Sequence, residues 1–376
     1  MTELDPAPAR RRWPLALPIA GLALLVVAWS AFWYYAAHRA EADIAAWRAR
    51  EAQAARLHTC AREAIGGYPF RIEVRCGDPA LELRALDPPL ALAAKDAVLA
   101  AQVYDPRLVI GEVSGPLTVG APGQPATLTA TWTLAQASLR GAPSSPERAS
   151  LVFDKPLLAR LDRGMPAPLA AAEHLELHAR MAGAADSSAV EIALRLKGAT
   201  ATLHPALAQP TDGEIAVVVT GLKEFAPARL RAFQAAGGRL DIQRARLTQG
   251  AIVVAGAGTL ALSASGRLDG QVRLTVVGLD RLVALLGVDQ AVAQYLAQKS
   301  GGLTVDRLAS GLDRLMPGLG GAVRGGSGAR IAAAGITLLG EPAELDGQRA
   351  VALPLRFVDG AVYLGPILVG HAAPLF

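Results

Sequence analysis

The sequence predicts an α+β chain, mainly antiparallel β, in which an N-terminal transmembrane helix is followed by a large curved sheet or sandwich with a few helices in the second half. Three observations carry this reading. One run without charge, Trp13 to Ala37, has membrane length. Beyond Cys76, short segments alternate apolar and polar residues, the period-two pattern of strands with one dry and one wet face. Thirty-eight glycines and 25 prolines, with aromatics at only 5%, suit short strands joined by tight turns better than a helical bundle.

Residues 1–12 are a polar tail ending in Arg10-Arg11-Arg12, expected on the cytoplasmic side. Residues 13–37 are the predicted transmembrane helix, because about 25 residues at 1.5 Å each span a hydrocarbon core of roughly 30 Å. Trp13 at one end, and Trp33, Tyr34 and Tyr35 at the other, are placed for the two headgroup levels. A cleaved signal peptide is the alternative, since Ala40-Glu41-Ala42 offers an A-x-A site, but the apolar run exceeds a usual signal core. Residues 38–66 read as a juxtamembrane helix rich in Ala, Arg and Glu. Ile44, Trp47, Ala54, Leu57 and Ala61 recur near the 3.6 period and serve either a pairing stalk or packing on the chain's own domain. Residues 67–376 form the β-rich domain.

Three consecutive arginines precede the span, whereas Arg39, Arg48, Arg50 and Arg56 follow at wider spacing, so the positive-inside rule favours an inward N-terminus. Both cysteines, Cys60 and Cys76, lie on the C-terminal side, which suits an oxidising compartment. The expected location is the bacterial inner membrane, single-pass, with the C-terminal domain in the periplasm. A disulfide closing fifteen intervening residues contributes roughly 3 kcal/mol. It would clamp the end of the juxtamembrane helix to the first strand, with free buried thiols as the alternative. Two cysteines cannot make a structural zinc site, and His58 does not supply the missing ligands.

The Gly66-Gly67-Tyr68-Pro69 break reads as the end of a helix, and Phe70 to Arg75 then alternates as a strand. The stretch G-Y-P-F-R-I-E-V-R-C, from Gly67, Tyr68, Pro69, Phe70 and Arg71 to Cys76, and the closing L-P-L-R-F-V-D-G-A-V-Y-L-G-P, Leu353 to Pro366, resemble the bacterial domain-of-unknown-function family DUF2125. The resemblance covers nearly the whole chain after the anchor. It implies architecture and an envelope location, and carries no catalytic residues. More loosely, the pattern is similar to membrane-anchored envelope proteins of the AsmA type, which implies long curved sheets that hold or conduct lipid.

Strands are predicted at 81–86, 97–104, 108–119, 127–139, 150–153, 174–181, 191–197, 214–222, 239–250, 251–263 and 271–277, and again at 329–339, 349–358 and 361–369, with Asp359-Gly360 as a hairpin turn. Helices are predicted at 225–236, 279–299 and 304–315, and a glycine-rich loop at 318–328.

Candidate chemistry is thin. His174, Glu176 and His178 suggest a metal, but on a strand residues four apart lie about 13 Å from each other, and a solvated charged face accounts for them better. Val254 to Ala261 matches G-x-G-x-x-A, yet the fingerprint needs a following helix and an alternating segment follows instead. Gly325 to Ala329 falls short of a nucleophile elbow. No catalytic, cofactor-binding or metal site is assigned, and the chain is read as not an enzyme. The net charge of +4, with arginines scattered singly, excludes a nucleic-acid binder. Expected partners are the inner membrane, lipid and other envelope proteins. Many one-sided strands with few helices to cover them imply a broad apolar face that binds or shields lipid in envelope maintenance. The alternative is a structural or interaction protein with a closed core that acts through protein partners, and an enzyme with an unrecognised site comes a distant third.

Overall fold

The computed structural model describes residues 13–141, 146–162, 164–182, 189–221, 230–286, 337, 340–365 and 367–375. The chain divides into two compact units, Met1–Pro125 and Ala126–Phe376. Antiparallel sheet dominates, with 59% strand against 19% helix, and the helices among the described residues are three.

The first unit starts with helix α1 (Trp13–Gln53). At 41 residues it runs about 61 Å, well beyond the charge-free segment. It ends where Ala55 takes a positive φ of 56° and the chain reverses into strand β1 (Arg56–Gly66). This corrects the predicted juxtamembrane helix: the helix stops at Gln53, and residues 56–66 are strand. Ala, Arg and Glu favour helix locally, but β1 pairs along its whole length with β2 (Arg71–Leu83), from Arg56 opposite Leu83 to Gly66 opposite Glu73. That complete ladder outweighs a propensity of a few tenths of a kcal/mol per residue. The Gly66-Gly67 break is accordingly a hairpin turn rather than a helix end.

β1 returns alongside α1. Glu51 lies 3.7 Å from His58, Arg48 pairs with Glu63 at 2.5 Å, and Trp33 meets Tyr68 at 5.5 Å, so helix numbers fall as strand numbers rise. Lengths agree: eleven strand residues cover about 36 Å and the twenty helix residues from Tyr34 to Gln53 about 30 Å. The outer half of α1 thus covers the free edge of β1. Strand β2 pairs on its other edge with β3 (Leu90–Ala93) and β4 (Asp96–Gln102). β4 continues to β5 (Asp105–Ser114), and β3 pairs with β6 (Leu117–Gly120). The single strand predicted at 108–119 is therefore two, broken at Gly115-Pro116, because proline has no ladder donor.

The second unit is a run of antiparallel neighbours. Its strands are β7 (Leu128–Thr131), β8 (Leu134–Arg140), β9 (Arg148–Asp154), β10 (Leu157–Asp162), β11 (Met165–Ala171), β12 (His174–Ala182), β13 (Ala189–Ala201), β14 (Thr211–Thr220), β15 (Arg239–Gln249), β16 (Ile252–Leu262), β17 (Leu268–Val277), β18 (Glu341–Leu345), β19 (Gln348–Val358), β20 (Ala361–Leu364) and β21 (Ile367–His371). Pairing follows β8, β9, β12, β13, β14, β15, β16, β17, β19, β20 and β21, with β7, β10 and β11 as a side branch and β18 beside the start of β19. The sequence reading did not foresee β3, β10, β11 or β18. In β11, Pro166 and Pro168 argue against a strand, yet they pair only with β10, which leaves them an edge that needs no donor. Asp359-Gly360 forms the foreseen hairpin turn, both residues at positive φ.

Two short helices cover parts of this sheet. Helix α2 (Leu230–Ala235) sets Phe233 among Val219, Leu262, Ile192 and Leu240. Helix α3 (Leu279–Leu286) packs Leu279 and Val283 on Val276, Leu353 and Leu364. The predicted helix 225–236 is observed over its last turns, and 279–299 over its first eight residues. The remainder of each, the helix 304–315, the loop 318–328, the elbow-like Gly325 to Ala329 and nearly all of the strand 329–339 lie outside the described residues.

Candidate functional site

Each unit holds one grouping a function could use. In the first it is the tip of the β1–β2 hairpin. Gly67 sits at φ +97°, where an added Cβ would lie 2.7 Å from the Arg71 carbonyl oxygen, and the Arg71 amide donates back to the Gly67 carbonyl at 3.1 Å. Only glycine closes this turn. The Tyr68-Pro69 bond is cis. The tip is fastened to α1 by side-chain donors: Trp29 Nε1 to the Pro69 carbonyl and Trp33 Nε1 to the Arg71 carbonyl, both at 2.8 Å. Ser30 Oγ and the Tyr68 hydroxyl lie 2.8 Å apart. Trp29 also approaches Phe70, and Tyr34 stacks on Tyr68. Arg71 and Arg75 flank Glu73, whose side chain is 6% exposed, so a buried carboxylate keeps charged partners on both sides.

The structure thus gathers all five motif residues, Gly67 to Arg71, into one tip. Cys60 and Cys76 sit farther along the same hairpin, with sulfurs 1.92 Å apart and Cα atoms 5.5 Å apart. Cys60 stands opposite Pro79 and Cys76 opposite Glu63, so the link runs diagonally between β1 and β2. The expected clamp from helix to strand is corrected to one from strand to strand, since residue 60 lies in β1. Sequence reasoning missed Trp29 and Ser30 as partners of the tip. A usable signal existed: Trp29 and Trp33 are four apart on one helix face, and each indole N–H needs an acceptor.

In the second unit the grouping is one face of the sheet. Ala137, Leu151, Leu177, Leu194, Ile215, Ala245, Gly256, Leu274 and Leu353 stand opposite one another in a single row across nine strands. The next row is equally apolar, through Leu139, Ala149, Ala179, Ile192, Val217, Ile242, Gly258, Val272 and Leu355. At about 4.8 Å per strand the rows extend roughly 38 Å. Cover is uneven. Val276 and Val190 are fully buried, whereas Leu177, Met181 and Leu247 on the same face remain 36%, 37% and 41% exposed.

Keeping this face continuous requires a change of phase in β15. Ala216 stands opposite Arg244 and Val217 opposite Ile242, which leaves Gln243 as an extra, bulged residue. Without it, Leu240 and Ile242 would face opposite to Ala245 and Leu247. The parity switch is present in L-D-I-Q-R-A-R-L and could have been read. Gly256 and Gly258, part of the G-x-G-x-x-A match, lie inside strand β16 with no helix following. An added Cβ at Gly256 would come within 2.7 Å of Leu274 Cδ2, and at Gly258 within 2.2 Å of the Gln271 carbonyl oxygen. These glycines make room for the neighbouring strand.

The opposite face is charged. Glu176, Arg195, Glu214 and Arg246 form an alternating row across four strands. Arg246 reaches Asp346 at 2.5 Å, and Arg180 pairs with Glu191. Glu176 sits between two imidazoles, 2.8 Å from His174 Nε2 and 3.4 Å from His178 Nε2, while His174 Nδ1 lies 2.5 Å from Asp154. Hydrogen bonds to Glu176 and then Asp154 raise the His174 pKa, and the bond from His174 lowers that of Glu176. A shallow hollow of about 380 Å³ lies over this face beside Gln243. Among the described residues no three His, Cys, Asp or Glu side chains are disposed to hold a metal ion.

Helix α1 is long and apolar enough to cross a membrane, with only 6% of its most apolar window buried. No curated protein matches the chain. The family model described as an uncharacterized protein conserved in bacteria, DUF2125, matches residues 33–373, nearly the whole length beyond the apolar helix. The chain therefore belongs to the DUF2125 family of bacterial proteins.

Proposed function

We propose that α1 anchors this protein in the bacterial inner membrane, with the rest of the chain in the periplasm, and that the apolar face of the second unit binds or shields lipid in envelope maintenance. The observation that carries the reading is the pair of aliphatic rows across nine strands, open at Leu177, Met181 and Leu247 while the reverse face is charged. An aliphatic wall without hydrogen-bonding groups suits acyl chains, which ask for area rather than directed contacts. The charge-free half of α1 and a cysteine pair at disulfide distance support the membrane and the oxidising compartment. No catalytic role forms part of the reading.

The test is the lipid retained by the purified full-length chain, quantified by mass spectrometry. The combined variant Leu177→Asp, Leu247→Asp is expected to lose most of the retained lipid, whereas Arg195→Ala on the opposite face keeps it. Equal retention by a folded Asp variant sinks the proposal.

A further inference from the structure

Among the described residues, every aromatic side chain more than about a third exposed belongs to the first unit: Phe32, Tyr34, Tyr35, Trp47, Tyr68, Phe70 and Tyr104. In the second unit the exposed large apolar residues are Leu, Val and Met. All but Trp47 gather at one end of the first unit. The Val103 amide donates to the Phe70 carbonyl at 3.0 Å, which places the β4–β5 turn with Tyr104 beside the hairpin tip. Phe70 is 63% and Tyr104 66% exposed, although both belong to ordered turns.

The level of this end is fixed by α1. The tip is bound at Trp29, Ser30 and Trp33, while the first charged residue after the apolar run is Arg39. At 1.5 Å per residue, Trp29 lies about 15 Å and Trp33 about 9 Å below Arg39 along the helix. The indoles are turned toward the hairpin: Trp33 is only 6% exposed. The rings facing outward at that level are Phe32, Tyr34 and Tyr35 of α1 together with Tyr68, Phe70 and Tyr104 of the two turns.

We infer that the β1–β2 tip and the β4–β5 turn are a second membrane contact, which seats Tyr68, Phe70 and Tyr104 in the headgroup layer of the leaflet from which α1 emerges. This rests on the proposal that α1 spans the bilayer. The tyrosine rings of Tyr68 and Tyr104 carry a polar handle and partition to that layer, where one end is apolar and the other wet, and the exposed Phe70 ring beside them supplies apolar area. A helix held at one point can tilt and rotate; a second contact displaced from its axis fixes how the first unit stands on the surface. The family motif thereby acquires a physical role, as a turn shaped to carry aromatics at a set depth.

The full chain is reconstituted in vesicles of equal parts phosphatidylethanolamine and phosphatidylglycerol, with a nitroxide at Phe70→Cys, Tyr104→Cys, Leu25→Cys or Leu86→Cys in turn. Each label is ranked by its accessibility to oxygen relative to a water-soluble nickel chelate. Labels at 70 and 104 are expected several-fold above Leu86, just beyond the far end of β2, and below Leu25 in the apolar run. Labels at 70 and 104 that match Leu86, while Leu25 reads as hydrocarbon, overturn the second contact and leave the anchor standing. A water-like Leu25 overturns the anchor and the contact together. Tyr104 carries the test if the Phe70 substitution disturbs the hairpin.

Discussion

The two units solve the problem of an apolar surface in opposite ways. In the first, the surface is carried by aromatic rings and is fastened in place: two indole N–H groups and a hydroxyl locate the hairpin tip on α1 to within single hydrogen bonds. In the second, the apolar surface is aliphatic and repetitive, one row much like the next, and nothing polar interrupts it over nine strands. Directed contacts specify a position, whereas a uniform wall specifies only a chemistry. Under the proposed function, location falls to the first unit and ligand contact to the second.

The largest effect that sharpens this contrast is expected in the second unit. Phe233 is the buried side chain by which α2 covers one end of the apolar face. Phe233→Ala should cost about 3–5 kcal/mol and lower the unfolding midpoint of that unit while sparing the first. Opening the Cys60–Cys76 link by Cys60→Ser with Cys76→Ser should cost roughly 3 kcal/mol, and the loss should be confined to the first unit. A loss shared equally between units in either experiment would break the comparison. Alkylation followed by mass analysis, without reductant, should leave both cysteines of the native chain unmodified.

A smaller effect concerns the tip. Trp33→Phe keeps a ring but removes the donor to the Arg71 carbonyl, a loss of about 1 kcal/mol. Amide exchange at Arg71 should then quicken by about fivefold, the factor equivalent to that energy. Unchanged exchange would mean that ring packing alone holds the tip.

The smallest expected effect is on the charged face. The His174 pKa is raised above its ordinary value of 6.5, so its contribution is fully present below that value and is lost as pH rises through the folded-state pKa. The Glu176 pKa is lowered from 4.5, so its contribution is present above that value and is lost as pH falls through the folded-state pKa. Both act together between about pH 4.5 and 6.5. The stability difference between the native chain and His174→Gln should peak in that window and shrink toward pH 8. Because the pair is partly exposed, solvent screening keeps the difference small.

Much of this was legible in the residues. Faultless alternation in 174–181 and 191–197 marks β12 and β13, because one face meets water along the whole strand, and the β-branched run in 214–222 continues the series as β14. Other features depend on partners distant in sequence. Arg56 to Gly66 is helical in composition and becomes strand only because β2 lies beside it. The docking of Trp29 on Pro69 joins residues forty apart, which no local pattern announces. The Gln243 bulge lies between these cases: its parity switch is written in the chain, but only the paired neighbours show that the switch preserves one continuous face.

The most direct test of the central claim uses a phospholipid with a photoreactive acyl chain. The full-length chain is embedded in a bilayer containing it, irradiated and digested, and the modified peptides are identified. The account predicts adducts on peptides carrying Leu177, Leu194 and Leu247 in addition to those on α1. Adducts confined to α1 and the hairpin tip, with none on the β12–β15 face, would contradict it.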